Sequence, residues 1–236
     1  MKLQKETYIT RSRHPGHGRW YGDACAVAFA LELVGERWAL LVMRELMLGP
    51  RRFSDLRASL PGISAKVLTQ RLESLESAGV LVRRRLPPPA AAQVYELTEW
   101  GYEAEEVLQV LGRWAVRSPA HDPTLPLTPV ALMLSLRTMI DLARSEGFAL
   151  TVAFDVGGER FLARLEDGEY RVARSADPDE PADLHLAAPA PLAFLRLFYG
   201  KILMAELERD MGLTVAGDRD LAERFVALFA LPAKRA

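Results

Sequence analysis

The chain has 236 residues, half of them hydrophobic and about a quarter charged, with a formal net charge of −1. That composition suits one or two globular domains and excludes disordered, collagen-like and disulfide-scaffold chains. No uninterrupted apolar run reaches the roughly 18 residues of a membrane span. The opening residues form no apolar signal segment, so neither export nor a membrane partner is expected. The single cysteine, Cys25, fits a reducing cytoplasm. The charge is unevenly shared: residues 1–118 carry 17 Lys and Arg against 13 Asp and Glu, a balance of +4, and residues 119–236 carry 13 against 18, a balance of −5. Two modules with different partners are the natural reading.

Residues 1–22 are polar and rich in Arg, His and Gly, and read as a flexible arm. Ala24 to Val34 is apolar almost all round, which predicts a helix that is buried or shared with a partner. A second helix is expected over Glu36–Leu48, stopped by Gly49-Pro50. A short helix follows over Phe53–Leu60, ended by Pro61-Gly62. Ser64 is a good cap for a helix over Ala65–Ser77, with Leu68, Leu72 and Leu75 at helical spacing. The period then changes to that of strands in Val80–Leu86 and Gln93–Leu97, joined by a Pro/Ala-rich tip. Thr98 can cap a long helix to Arg117. Trp100, Ala104, Val107, Leu108, Leu111, Trp114 and Ala115 form one apolar stripe on it. Two tryptophans on such a helix need a surface to bury against, and a homodimer partner supplies one, with Phe29, Trp100, Val107, Leu111 and Trp114 at the interface.

Three helices followed by a two-stranded ribbon make a winged helix-turn-helix. The residues also carry a specific resemblance. Cys25 with Leu33-Val-Gly-Glu-Arg-Trp38, then Gly49-Pro-Arg-Arg-Phe-Ser-Asp-Leu56, Leu60-Pro-Gly-Ile-Ser-Ala-Lys-Val-Leu-Thr-Gln-Arg-Leu72 and Tyr95-Glu-Leu-Thr-Glu-Trp-Gly101 resemble the HxlR-type transcriptional regulators over residues 23–117. The resemblance implies binding to double-stranded DNA at a pseudo-palindromic operator. The Pro87–Ala92 wing tip departs from it in being poor in charge. With the leucines of Ala65–Ser77 inward, Lys66, Thr69 and Gln70 face outward, where Gln suits adenine and Thr the thymine methyl. Arg51, Arg52 and Ser54 at the start of the preceding helix are placed for phosphate, and Ser64 joins the DNA-binding set. Alternation puts Arg83 and Arg85 on one face of the first wing strand and Arg84 on the other. Arg71 falls beside the core stripe and reads as a salt-bridge residue. Cys25 admits two readings: a redox or electrophile sensor, as in some relatives, or a small buried residue at a helix start.

Ser118–Pro129 carries four prolines and reads as a semi-rigid linker between domains. Thr128 and Pro129 then start a helix expected to reach Arg144. Strands follow over Phe148–Asp155, Glu159–Leu165, Glu169–Arg174 and Asp183–Ala187, with hairpin turns at Gly157-Gly158 and Asp167-Gly168. Helices are expected over Pro191–Tyr199, Ile202–Asp210 and Leu221–Phe229. The fold class is α+β with two domains: the winged helix, then an antiparallel sheet packed with helices.

Ala182-Asp-Leu-His-Leu186, Ala190-Pro-Leu-Ala-Phe-Leu195 and Leu213-Thr-Val-Ala-Gly-Asp218 make residues 130–230, within a second domain placed at 130–232, resemble the sterol carrier protein type two family. That resemblance implies an apolar tunnel for a hydrophobic small molecule, with Phe148, Phe154, Phe161, Phe194, Phe198, Met204 and Phe225 as candidate lining. The same residues would equally make a solid core. No catalytic set, cofactor motif or metal cluster stands out; His14-Pro-Gly-His17 lacks further ligands. The reading is a cytoplasmic, non-enzymatic DNA-binding regulator with a possible hydrophobic effector. A lipid carrier, or a regulator whose second domain only contacts proteins, is the alternative.

Overall fold

The computed structural model describes residues 21–87, 91–175 and 177–235. Nearly all of the expected N-terminal arm, with His14, His17 and Arg19, lies outside these residues, as does the centre of the wing tip.

The first half runs α1 (Ala26–Val34), α2 (Ala39–Leu46), α3 (Phe53–Ser59), α4 (Ala65–Ser77), β1 (Leu81–Arg85), β2 (Gln93–Leu97) and α5 (Glu99–Ala115). The order is the expected winged helix, with one shift. α2 begins at Ala39, not Glu36, because Trp38 sits in the left-handed region at φ +82° and breaks the helix there. β1 and β2 pair antiparallel, with Arg83 opposite Tyr95. Arg51 adds a one-residue bridge to Tyr95, so the ribbon gains the start of a third strand. At the head of α5, the Thr98 hydroxyl accepts from the Gly101 N–H at 3.0 Å and donates to the Gly79 carbonyl at 2.8 Å. Gly101 permits this close docking: a Cβ there would meet the Val80 carbonyl oxygen at 2.1 Å.

The second half comprises α6 (Pro129–Met139), β3 (Leu150–Val156), β4 (Glu159–Glu166), β5 (Glu169–Arg174), β6 (Leu184–Ala188), α7 (Pro191–Phe198), α8 (Met204–Met211), β7 (Thr214–Gly217) and α9 (Arg219–Val226). The Thr128 hydroxyl caps α6 by accepting from the Ala131 N–H. α6 ends five residues before the expected Arg144, because Ile140 leaves the helix to bridge Phe229. The sheet order is β5-β4-β3-β6-β7. The β3-β4-β5 meander is antiparallel as expected, but β6 lies parallel to β3, so the sheet is mixed rather than antiparallel. The segment after β5 recrosses the sheet before β6, a non-local pairing that hairpin signals do not encode.

Phe154, Phe161, Phe194, Phe198, Phe225 and Phe229 are all completely buried. Phe198 sits edge-on to Phe225 at 5.8 Å and to Phe229 at 4.8 Å between ring centroids, and Phe154 meets Phe194 at 5.8 Å. The expected lining Phe154, Phe194, Phe198 and Phe225 therefore packs ring on ring and fills the space between sheet and helices; Phe161 and Met204 are buried in the same core. Phe148 is half-buried, packed against this core beneath the Arg224 guanidinium.

The two halves are not loosely tethered. Their buried apolar side chains form one continuous cluster, with α2 and α5 packed on α6. Arg235 N–H donates to the Arg117 carbonyl, and Lys234 Nζ donates to the carbonyls of Ser118 and His121, fastening the C-terminal segment over the proline-rich connection.

Candidate nucleic-acid interface

α4 is built to show one face outward. Ser64 is extended and its Oγ accepts from the Val67 N–H at 3.2 Å, which starts the helix cleanly. Leu68, Leu72 and Leu75 then point into the core and are essentially inaccessible. The 3.6-residue repeat leaves Lys66, Thr69, Gln70 and Glu73 exposed on the other side. Arg71 turns inward and pairs with Glu36 at 3.4 Å. The exposed row of an ammonium, a hydroxyl and an amide combines the donors and acceptors that read base edges with a charge that suits phosphate.

The flanking cations divide. Arg52 is exposed at the head of α3, and Ser54 beside it donates to Asp55 at 3.0 Å. Arg57, also exposed in the last turn of α3, is absent from the sequence reading. Arg83 pairs with Glu76 at 3.2 Å and lies over the Tyr95 ring. Arg84 pairs with Glu96, while Arg85 at the end of β1 is exposed and has no carboxylate partner among the described residues.

Arg51 departs from its expected place. Its side chain is only 10 % exposed and turns away into the junction between the halves. There it donates to Glu159 at 3.1 Å and stands 3.8 Å from the buried carboxylate of Glu45. Glu45 also accepts from Arg44 at 2.7 Å and from the Thr128 hydroxyl at 2.9 Å; Arg174 completes the set on Glu159. Burial alone would raise the Glu159 carboxyl, but Arg174 and Arg51 outweigh it and hold its pKa below the usual carboxylate value. Arg51 is thus engaged as a tie between the halves, with little of its side chain left for solvent. The signal for it was a lone carboxylate, Glu45, inside the apolar run Ala39–Leu46.

Comparison with known proteins fits this geometry. Residues 33–122 match the model of the HxlR-like helix-turn-helix family. The HTH-type transcriptional regulator YodB of Bacillus subtilis is 38% identical over 86 residues, which is 36% of this chain and 77% of that protein. The chain belongs to the HxlR-like helix-turn-helix family. YtfH of Escherichia coli, an uncharacterized HTH-type transcriptional regulator, is 33% identical over 106 residues, 45% of this chain and 84% of its own length. The reduced form of YodB aligns over 42% of this chain and all of its own, with 34% identity and a TM-score of 0.38. The aligned family segment ends at residue 122, before α6.

Within this HxlR-family chain a second surface stands out. α1 has no buried residue despite its apolar sequence. Phe29 on α1, and Trp100, Val107, Leu111 and Trp114 on α5, are all exposed, with Trp114 reaching 73 %. Large apolar side chains exposed together on one helix are what interaction surfaces are commonly made of. Cys25 is exposed at the N-cap of α1, where the backbone N–H groups of Ala28 and Val27 lower its pKa. In the single chain Cys25 is therefore not a buried residue. Among the described residues no three metal-ligating side chains gather, and no helix is long and apolar enough to cross a membrane.

Proposed function

We propose that this chain is a DNA-binding transcriptional regulator of the HxlR type, acting as a homodimer on a pseudo-palindromic site in double-stranded DNA. The observation that carries the reading is the capped helix α4, with Leu68, Leu72 and Leu75 inward and Lys66, Thr69 and Gln70 exposed in one row. In this reading Lys66, Thr69 and Gln70 meet base edges in the major groove, and Arg52, Ser54, Ser64, Arg83 and Arg85 meet phosphates. The exposed apolar faces of α1 and α5 pair with a second copy, which sets the spacing of the two recognition helices. The names of YodB and YtfH, both HTH-type transcriptional regulators, support the same function.

Residues 23–117 form the DNA-binding unit, 118–129 the connection and 130–232 an effector unit that resembles sterol carrier protein type two and senses a hydrophobic small molecule. A ligand regulates only if it binds the DNA-competent and DNA-incompetent forms unequally. The shared core of the two halves supports such coupling.

Lys66→Ala and Gln70→Ala test the DNA reading. Each is expected to weaken binding to the operator by about 1–3 kcal/mol in a fluorescence-anisotropy titration, with the fold unchanged by circular dichroism. Wild-type affinity in both variants would move the reading face elsewhere. Cys25, exposed with its thiol pKa lowered, is proposed as a reactive site: diamide is expected to change operator affinity in the wild type and leave Cys25→Ser unaffected.

A further inference from the structure

Phe198 packs against four other phenylalanine rings, and the structure opens elsewhere. A cleft of about 620 Å³ lies between α5, the 120–127 connection, α6 and the end of α7. That volume falls within the roughly 300–1,000 Å³ typical of small-molecule sites. Its walls are mainly apolar, with Leu108, Leu127, Leu134 and Leu195 contributing from four different segments.

Polar groups are the minority along it, and the charges of Arg44 and Glu105 are matched. Arg44 is held by Glu45, and Glu105 pairs with Arg137 at 2.9 Å while accepting from Gln109. Asp122, exposed on the connection, has its carboxylate engaged by the N–H and hydroxyl of Thr124. What remains is a hydroxyl pair, Ser135 Oγ and Tyr199 OH 2.7 Å apart, able to exchange a hydrogen bond with one polar atom of a guest.

Gly112 points to the same place. A glycine inside a helix costs about 1 kcal/mol relative to alanine, and here no packing contact demands it, since a Cβ at Gly112 would meet nothing within 4 Å. Nor does the exposed apolar face of α5 explain it. At about 100° per residue, Gly112 lies about 160° round the helix from Trp114. The missing side chain widens the cleft, not the dimer face.

We propose that this cleft is a binding site for an uncharged, mainly apolar small molecule carrying one hydrogen-bonding group. The proposal deepens the regulator reading, since it locates the effector against the very helix whose opposite face carries the dimer contact. A guest wedged between α5 and α6 changes the angle at which α5 is held.

The test uses the full-length protein with ¹³C-methyl-labelled methionine, titrated with the uncharged dye N-phenyl-1-naphthylamine. Saturable binding of one dye per chain is expected. The methyl signal of Met139, on the cleft wall, should move, while that of Met204, buried under the sheet, should not. Gly112→Trp, which fills open space, should weaken the dye at least tenfold; Gly112→Ala should not. A shift at Met204 instead, non-saturable binding, or wild-type affinity in Gly112→Trp would overturn the proposal. So would absence of binding, the result expected if residues 1–20 or a second copy fill the cleft. A gel-shift of the same wild-type protein on DNA upstream of its own gene reports separately on the regulator reading, so either can fail without the other.

Discussion

The two halves of this molecule treat the same kind of side chain in opposite ways. In the second half Phe154, Phe194, Phe198, Phe225 and Phe229 are completely buried against one another. In the first half Phe29, Trp100, Val107, Leu111 and Trp114 stand exposed on two helices. Hydrophobic burial is favourable in either place, at about 25 cal/mol per Å². The difference is whether the chain itself or a second molecule removes the water. The phenylalanines are intramolecular stability, and in the proposed dimer the α1 and α5 residues gain theirs only on association.

Truncation separates these roles, and the largest effect is expected in the core. Phe198→Ala removes a ring that touches four others, and should lower unfolding stability by about 3–5 kcal/mol in urea denaturation. The dimer dissociation constant should stay the same wherever the variant is folded. Trp114→Ala should do the reverse. Dissociation should become at least about thirtyfold easier by analytical ultracentrifugation, as for a central interface aromatic, while the stability of the isolated chain barely changes. Equal losses of stability in both variants would erase the distinction between the two surfaces.

The junction between the halves gives the smallest and most conditional effect. Glu159→Gln removes the carboxylate that holds Arg51 and Arg174, at an expected cost of about 1–2 kcal/mol at pH 7, discounted for its partial exposure. The folded-state pKa of Glu159 is lowered. Its contribution is therefore present in full above the ordinary glutamate value of about 4.3 and is lost as pH falls through the lower folded value. Wild type and variant should differ in denaturant midpoint at pH 7 and converge at acid pH. A difference that persists unchanged below pH 3 would show that the carboxylate's charge is not what ties the halves together.

Much of this protein was legible from local sequence alone. Ser64 with Leu68, Leu72 and Leu75 specified α4 and its outward row, Thr98 specified the start of α5, and Gly157-Gly158 and Asp167-Gly168 specified the meander. These features depend on the helical repeat, the strand alternation and turn chemistry, all of which act within a few residues. The exposed stripe of α5 was legible too, because its tryptophans exceed what a small helical unit can cover.

Three features belong to the tertiary structure. β6 runs parallel to β3 because of a crossover that no local signal specifies. Arg51 turns into the junction because Glu159, 108 residues away, joins the nearby Glu45 in a sheltered counter-charge that outcompetes solvent. The phenylalanines close on one another while a cleft opens against Gly112, because cavities are set by how finished elements dock. Short-range chemistry determined which segments became helices and strands and which faces they showed. Long-range packing and electrostatics decided which of those faces met each other, and so which residues were left free to act.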